Sequence, residues 1–252
     1  MRKITPAILA AAFAAAPFAS GSAQDITSIS ATFANSVPAS NTSIDNSDAD
    51  AIQVCWPSTV SADCSTLGTA DNLSGYMFER ANTSITPVIG SPFALGTFTH
   101  FNFPVSLASP GPLTSVDLIF SFSIDGATPG NFGDTWTLSH EETNNATSPC
   151  PYAGGDPCAD RVTFAIAGGG APTPFSIGGT NYILSLFGFG ATADLASLNP
   201  AFITFENQAN ETQLWAQITE APPTSTVPEP ATMTLLATGL AGMAAARKRR
   251  KS

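Results

Sequence analysis

The stretch Val116-Asp117-Leu118-Ile119-Phe120-Ser121-Phe122-Ser123-Ile124-Asp125 decides the fold class. Val116, Leu118, Phe120, Phe122 and Ile124 fall on one parity, and Asp117, Ser121, Ser123 and Asp125 on the other, with Ile119 the apolar exception. Successive side chains of a strand point to opposite faces. An apolar period of two sustained over this length predicts a strand with one buried and one wet face.

The same pattern recurs on both sides of this stretch. Residues 26–33, 52–56 and 76–80 are strand candidates before it, with the polar Ser/Asn/Asp-rich residues 35–50 reading as a loop. Between Phe93 and Phe103 the odd positions Phe93, Leu95, Phe101 and Phe103 are apolar with Thr97 and Thr99 between them, while the even ones include Phe98, His100 and Asn102. After a turn at 126–133 that carries Pro129, Trp136, Leu138 and His140 share a face, and Val162, Phe164 and Ile166 repeat it. Gly168, Gly169, Gly170 and Pro172 break the pattern, and residues 182–189, 202–205 and 214–218 follow. The body shows no sustained period of 3.6. Short strands separated by Gly, Pro, Asn and Ser predict an all-β domain, an antiparallel β-sandwich with a jelly-roll-like topology as the expectation. Its expected core includes Phe120, Phe122, Trp136, Phe164 and Leu184.

The two ends are of a different kind. Arg2 and Lys3 precede an apolar, Ala-rich run to Phe18, and Gly21-Ser22-Ala23 offers small residues at the −3 and −1 positions. This is the layout of a secretory signal peptide cleaved after Ala23, an N-terminal signal helix outside the fold. At the other end Val227-Pro228-Glu229-Pro230 leads into residues 231–246, which carry no charge, and then into Arg247, Lys248, Arg249, Arg250 and Lys251. Proline fixes φ and pushes its predecessor out of the α region, so Glu229 between two prolines is held extended. Sixteen apolar residues make a helix of about 24 Å, against a hydrocarbon core of about 30 Å. The expectation is a single short transmembrane helix whose five cations stop translocation, a segment used and then cut away. The chain divides into a signal peptide (1–23), a β-sandwich domain (24–221), a Pro/Ser/Thr linker (222–226) and a sorting and anchor segment (227–252).

This tail resembles the PEP-CTERM sorting signal of Gram-negative bacteria, whose partner is an exosortase; Pro228, Glu229 and Pro230 match as they stand. The resemblance implies export, transient residence in the inner membrane, then delivery to the cell surface, outer membrane or medium. Thr99-His100-Phe101-Asn102, with Leu95-Gly96-Thr97-Phe98 before it and Phe103-Pro104-Val105 after it, is similar to the THxN family of PEP-CTERM proteins. Residues 140–145 and 158–164 fit more loosely. That family implies a secreted, surface-sorted protein and supplies no reaction or ligand to carry over. Thr99, His100 and Asn102 are its motif residues here. By strand parity His100 and Asn102 share a side and Thr99 points the other way among the aromatics. Such a pair binds a polar ligand, chelates a cation or hydrogen-bonds a neighbouring loop.

Charge narrows the partners. Of nine basic residues only Arg80 and Arg161 lie in residues 24–226, against eighteen of the nineteen acidic ones, a net charge near −16. Nucleic acid is excluded as a partner, since its affinity rests on Lys and Arg at phosphates. The four cysteines, Cys55, Cys64, Cys150 and Cys158, are an even set in an exported chain and imply two disulfides. Three pairings exist; Cys55–Cys64 and Cys150–Cys158 are favoured because each closes a short loop.

Little else carries chemistry. Neither histidine sits in a nucleophile elbow or an H-E-x-x-H motif, no phosphate-binding glycine loop is present, and no His or Cys lies at zinc-ligand spacing. No metal or other cofactor is expected, save that loop acids could serve Ca²⁺: Asp45, Asp48 and Asp50, or Asp125 and Asp134 with Glu141 and Glu142. The paired acids Glu141 and Glu142 have no placement across a groove, so no enzyme is expected. Two readings follow. One is a non-catalytic surface or matrix protein associated with exopolysaccharide or biofilm. The other is a carbohydrate-binding or adhesive module, Ca²⁺-stabilised, using exposed Trp56, Trp136 or Trp215.

Overall fold

The computed structural model describes residues 25–57, 64, 66–67, 73–81, 85–108, 110–152, 156–166, 172–194 and 197–222. The expected signal helix, most of the linker and the C-terminal transmembrane helix lie outside these. Among the described residues no helix is long and apolar enough to cross a membrane.

The described residues form thirteen strands: β1 (Ile26–Val37), β2 (Ser43–Asp45), β3 (Ala51–Trp56), β4 (Ser74–Arg80), β5 (Pro92–Asn102), β6 (Ser115–Ile124), β7 (Ala127–Thr128), β8 (Asn131–Glu141), β9 (Asp160–Ile166), β10 (Pro174–Ile177), β11 (Thr180–Gly190), β12 (Ala201–Thr204) and β13 (Gln208–Glu220). They make two antiparallel sheets, one ordered β1-β6-β8-β9-β12 and the other β2-β3-β4-β5-β13-β11-β10-β7. The β-sandwich expected from the alternation is therefore present. Its connections depart from a jelly roll: β2 to β5 run as one meander within a sheet, and β6, β8 and β9 are neighbours in the other. The short strands β2 and β7, at the two edges of the larger sheet, and β10 beside β7 lie outside the strand candidates, because two to four residues are too few to display a period.

β6 shows why this chain folds so. Its burial alternates along its length, with Val116, Leu118, Phe120, Phe122 and Ile124 buried. Aromatic rings from the two sheets then meet between them: Phe78 of β4 lies edge-on to Phe120 of β6 at 5.2 Å, and Phe132 of β8 stacks on Phe175 of β10 at 4.3 Å. Such pairs add to the burial term, which alone is about 1.5–3 kcal/mol for each Phe. Four of the five expected core residues are buried; Phe164 is half-buried, packed on Trp136 and Phe189, because β9 is the next-to-last strand of its sheet.

In β5 the parity expected from sequence changes part-way. Gly96 pairs with Leu214 and Ala94 with Trp215, so Leu95 is an extra residue, a β-bulge. Phe93 and Leu95 are buried before it, Phe98, His100 and Asn102 after it. Gly96 makes the bulge possible, since a Cβ there would sit 2.2 Å from the Glu79 carbonyl oxygen.

Both favoured disulfides form, Cys55–Cys64 and Cys150–Cys158. The first joins Leu67, Leu73 and Phe101 in a small cluster apart from the main core. Non-reducing peptide mapping should recover these two linked pairs, and crossed peptides would contradict the fold around them. Truncating Phe122, only 1% exposed, to Ala should cost about 3–5 kcal/mol in urea unfolding, with Phe164→Ala costing clearly less.

Candidate functional site

Both histidines of the chain point into the sandwich and meet there. His100 comes from β5 of the eight-stranded sheet and His140 from the end of β8 in the other; their rings lie 5.2 Å apart and perpendicular. Trp56 from β3 and Tyr76 from β4 pack against both rings. Three carboxylates join them: Glu142 just after β8, Asp160 at the start of β9, and Glu206 in the turn from β12 to β13. One ligand atom each of His100, His140 and Asp160 lies within 4.8 Å of the others, and the same holds for Glu142, Asp160 and Glu206. Asp160 belongs to both groups.

Three hydrogen bonds of this cluster cross between the sheets, and others tie it to the loop after β8. The Tyr76 hydroxyl lies 2.5 Å from His140 Nδ1, and His140 Nε2 lies 3.2 Å from Glu142 Oε2. His100 Nδ1 lies 2.8 Å from the Thr204 hydroxyl, and Asn102 Nδ2 donates to the Thr204 carbonyl. Asp160 Oδ1 accepts from the Thr143 backbone N–H, and Glu206 Oε1 accepts from Asn145 Nδ2. The turn carrying Glu206 is itself held by Asn210, which accepts from the Phe205 N–H and donates to the Phe205 carbonyl, with Asn207 at a φ of 62°. Each disulfide is adjacent: Cys55 precedes Trp56, and Cys150–Cys158 closes the loop between Glu142 and Asp160.

Desolvation sets the charge state. It pushes His140 down to about 4 and His100 well below its ordinary value, so both imidazoles are neutral. It pushes Glu142 up to about 8 and Asp160 up to about 7, helped in each by a neighbouring carboxylate, and raises Glu206 and Tyr76. The His140–Glu142 contact at neutral pH is thus a hydrogen bond between uncharged groups rather than an ion pair. With Tyr76 donating to Nδ1, His140 Nε2 carries the proton that Glu142 accepts.

Other expected site residues are placed elsewhere. Thr99 faces away from the cluster, as parity required, but is buried with an unpartnered hydroxyl among the described side chains. The acids Asp45 and Asp48 each accept a backbone N–H two residues on, and Asp50 pairs with Arg80, so this loop closes on itself. Asp134 accepts from Thr173, and Glu141 pairs with Arg161 at 2.7 Å on the surface while its neighbour Glu142 turns inward. Trp56 and Trp136 are buried and Trp215 is half-buried, donating to the Gly190 carbonyl, which corrects the expectation of exposed tryptophans. Sequence reading found His100 and Asn102 but not the union with Tyr76, His140, Asp160 and Glu206. The available signal was that His140 shares a parity with Trp136 and Leu138, an inward face for an ionisable residue.

The opposite end of the chain yields to comparison. Residues 226–250 match the PEP-CTERM protein-sorting motif. This match implies export to the cell envelope or surface and processing by an exosortase. It takes in Pro228, Glu229, Pro230 and the first four of the five cations, and it stops short of the β domain. Comparison with curated proteins found no match to the chain.

The cluster makes stability depend on pH with a definite sign. Glu142 and Asp160 hold protons in the folded state that the unfolded chain releases near 4, so their contribution is present at low pH and lost as the pH rises through 7 and 8. The lowered histidines act oppositely, their contribution being lost as the pH falls from about 6.5 toward 4. In the presence of a chelator the melting temperature should therefore fall between pH 6.5 and pH 8.5, and Glu142→Gln should flatten that fall.

Proposed function

We propose that this chain is a non-catalytic protein of the cell surface or extracellular matrix, delivered by an exosortase and associated with exopolysaccharide. The observation that carries this reading is the sorting motif at residues 226–250, with its order of Pro-Glu-Pro, uncharged run and cations. A basic n-region and small residues before Gln24 supply the export signal that such a motif requires. The body supports the same reading. An acidic surface with two arginines and no lysine keeps an exported domain soluble, and two disulfides suit an oxidising compartment. The ionisable groups that could do chemistry are enclosed between the sheets rather than set in a groove, which favours a structural role over catalysis. The Thr99-His100-Asn102 motif of the THxN resemblance contributes two of its residues to that interior, which favours the motif as a mark of the fold.

In a host that carries an exosortase, the recovered protein should lack residues 231–252 and leave the inner membrane, as read by intact mass and membrane fractionation. Glu229→Ala should block this processing while leaving the β spectrum of the domain unchanged. Replacing the five cations by Ser should weaken retention instead. Wild-type protein that keeps its tail in the inner membrane would make the segment a plain anchor. Retention at the surface should drop in a host that makes no exopolysaccharide.

A further inference from the structure

We propose that His100, His140 and Asp160, with Glu142 and Glu206 beside them, bind one divalent transition-metal ion of the Zn²⁺, Mn²⁺ or Fe²⁺ class, which ties the two sheets of the sandwich together. This stands independently of the sorting signal, which lies in another part of the chain.

Four observations converge on the site. The first is distance. Ligand atoms on one such ion sit at about 2.0–2.2 Å from it and so lie up to about 4.4 Å apart; the nitrogen and oxygen atoms of His100, His140 and Asp160 are already within 4.8 Å of one another. Neighbouring ligand atoms on a tetrahedral ion lie about 3.4 Å apart, so an ordinary side-chain movement closes the difference.

The second is unsatisfied polarity. Eight buried side-chain polar atoms have no partner among the described residues, and six of them belong to this cluster: Trp56 Nε1, His100 Nε2, Asn102 Oδ1, Asn145 Oδ1, Asp160 Oδ2 and Glu206 Oε2. Buried polar atoms are nearly always bonded, so a concentration of orphans in one place marks something that belongs there. His100 and Asp160 are fully enclosed, and the atoms they leave unpartnered are the ones a metal would take.

The third is the way the imidazoles are held. Both have Nδ1 against a hydroxyl, His100 on Thr204 and His140 on Tyr76. Both present Nε2 to the cluster, His100 without a partner and His140 facing Glu142. A metal-ligating histidine characteristically donates its other N–H to a fixed acceptor, which sets its tautomer and aim. A hydroxyl both donates and accepts, so Tyr76 serves His140 in either tautomer.

The fourth is charge. Three carboxylates gather with no cation near. The only arginines of residues 24–226 are engaged elsewhere, Arg80 with Asp50 and Arg161 with Glu141 and over the Tyr152 ring. Buried charges are paired or coordinate metals, and here only protons or a metal ion can supply the balance. Two neutral imidazoles select against Ca²⁺ and Mg²⁺, which take oxygen ligands, and favour the borderline transition ions.

The test uses the full chain, exported and recovered from the cell envelope, dialysed without chelator and analysed for metal by mass spectrometry. Wild-type protein should hold about one ion per chain. Removing it with EDTA should lower the melting temperature, and Zn²⁺, Mn²⁺ or Fe²⁺ should restore it. His100→Gln and Asp160→Asn should lose the ion. Thr204→Val, which keeps every ligand and removes only the hydroxyl behind His100, should bind roughly 10–100-fold more weakly; it decides the matter if the ligand variants fail to fold. The proposal is overturned if the stripped wild-type chain takes up none of the three ions and its melting temperature does not move. Water molecules would then be the partners of the orphaned atoms. It is equally overturned if only Ca²⁺ or Mg²⁺ binds, or if His100→Gln and Asp160→Asn bind as well as wild type, which would put the ion on the acidic surface.

Discussion

Three carboxylates and two imidazoles meet between the sheets with no Lys or Arg beside them. Moving one ionised carboxylate out of water costs several kcal/mol even after the protein relaxes, a large share of a domain's net stability of about 5–15 kcal/mol. This is why burial raises Glu142 and Asp160 until they hold protons. The arrangement persists because its members are held from other parts of the chain, the imidazoles by hydroxyls of the opposite sheet and Asp160 and Glu206 by the loop after β8. Tyr76 reaches across to His140, and His100 and Asn102 reach across to Thr204. The polar end of the sandwich is therefore specified more narrowly than the apolar one. Rings such as Phe120 and Phe122 tolerate exchange for other apolar side chains of similar volume; the hydroxyl–imidazole pairs do not.

The backbone prepares this. An unbroken alternation from Phe93 would turn Thr99 and Phe101 inward and leave His100 and Asn102 on the outer face. The extra residue at Leu95 reverses the parity. Only then does the even set Phe98, His100 and Asn102 join the interior. The outward-turned Phe101 is in turn covered by the cluster around Cys55, Cys64 and Leu67. One bulge thus assigns a polar set to one side of the strand and an aromatic to the other, and each side has its own cover.

The legible parts of this molecule were those whose physics is local. Val116 to Ile124 announce a half-buried strand because period two is a property of one stretch. The disulfides were legible because each closes a short loop, and the tail because its three parts are contiguous. What escaped was non-local or too short. The strands Ala127–Thr128 and Pro174–Ile177 exist through the partners they find, the first on the second and the second on Thr180–Gly190. The tryptophans were read as available surface, yet Trp56 is enclosed by Tyr76, His100 and His140. The cluster draws on residues from Trp56 to Glu206, and no spacing rule spans that distance. Glu141 and Glu142 make the point on the smallest scale. Neighbours in sequence, one pairs with Arg161 in solvent and the other is buried against His140, because the end of β8 still sends successive side chains to opposite faces.

The two disulfides stand beside the walls of the same chamber, one next to Trp56 and the other across the loop from Glu142 to Asp160. By loop-closure entropy each contributes about 2.5 kcal/mol. In a reducing cytosol both contributions are missing together, at the one place where the interior is also burdened with desolvated acids. A chain with its thiols reduced is therefore held less firmly in the closed sandwich. Oxidation then shifts the balance toward the closed sandwich. Placing both crosslinks at the costliest corner of the fold ties its completion to arrival in the right compartment.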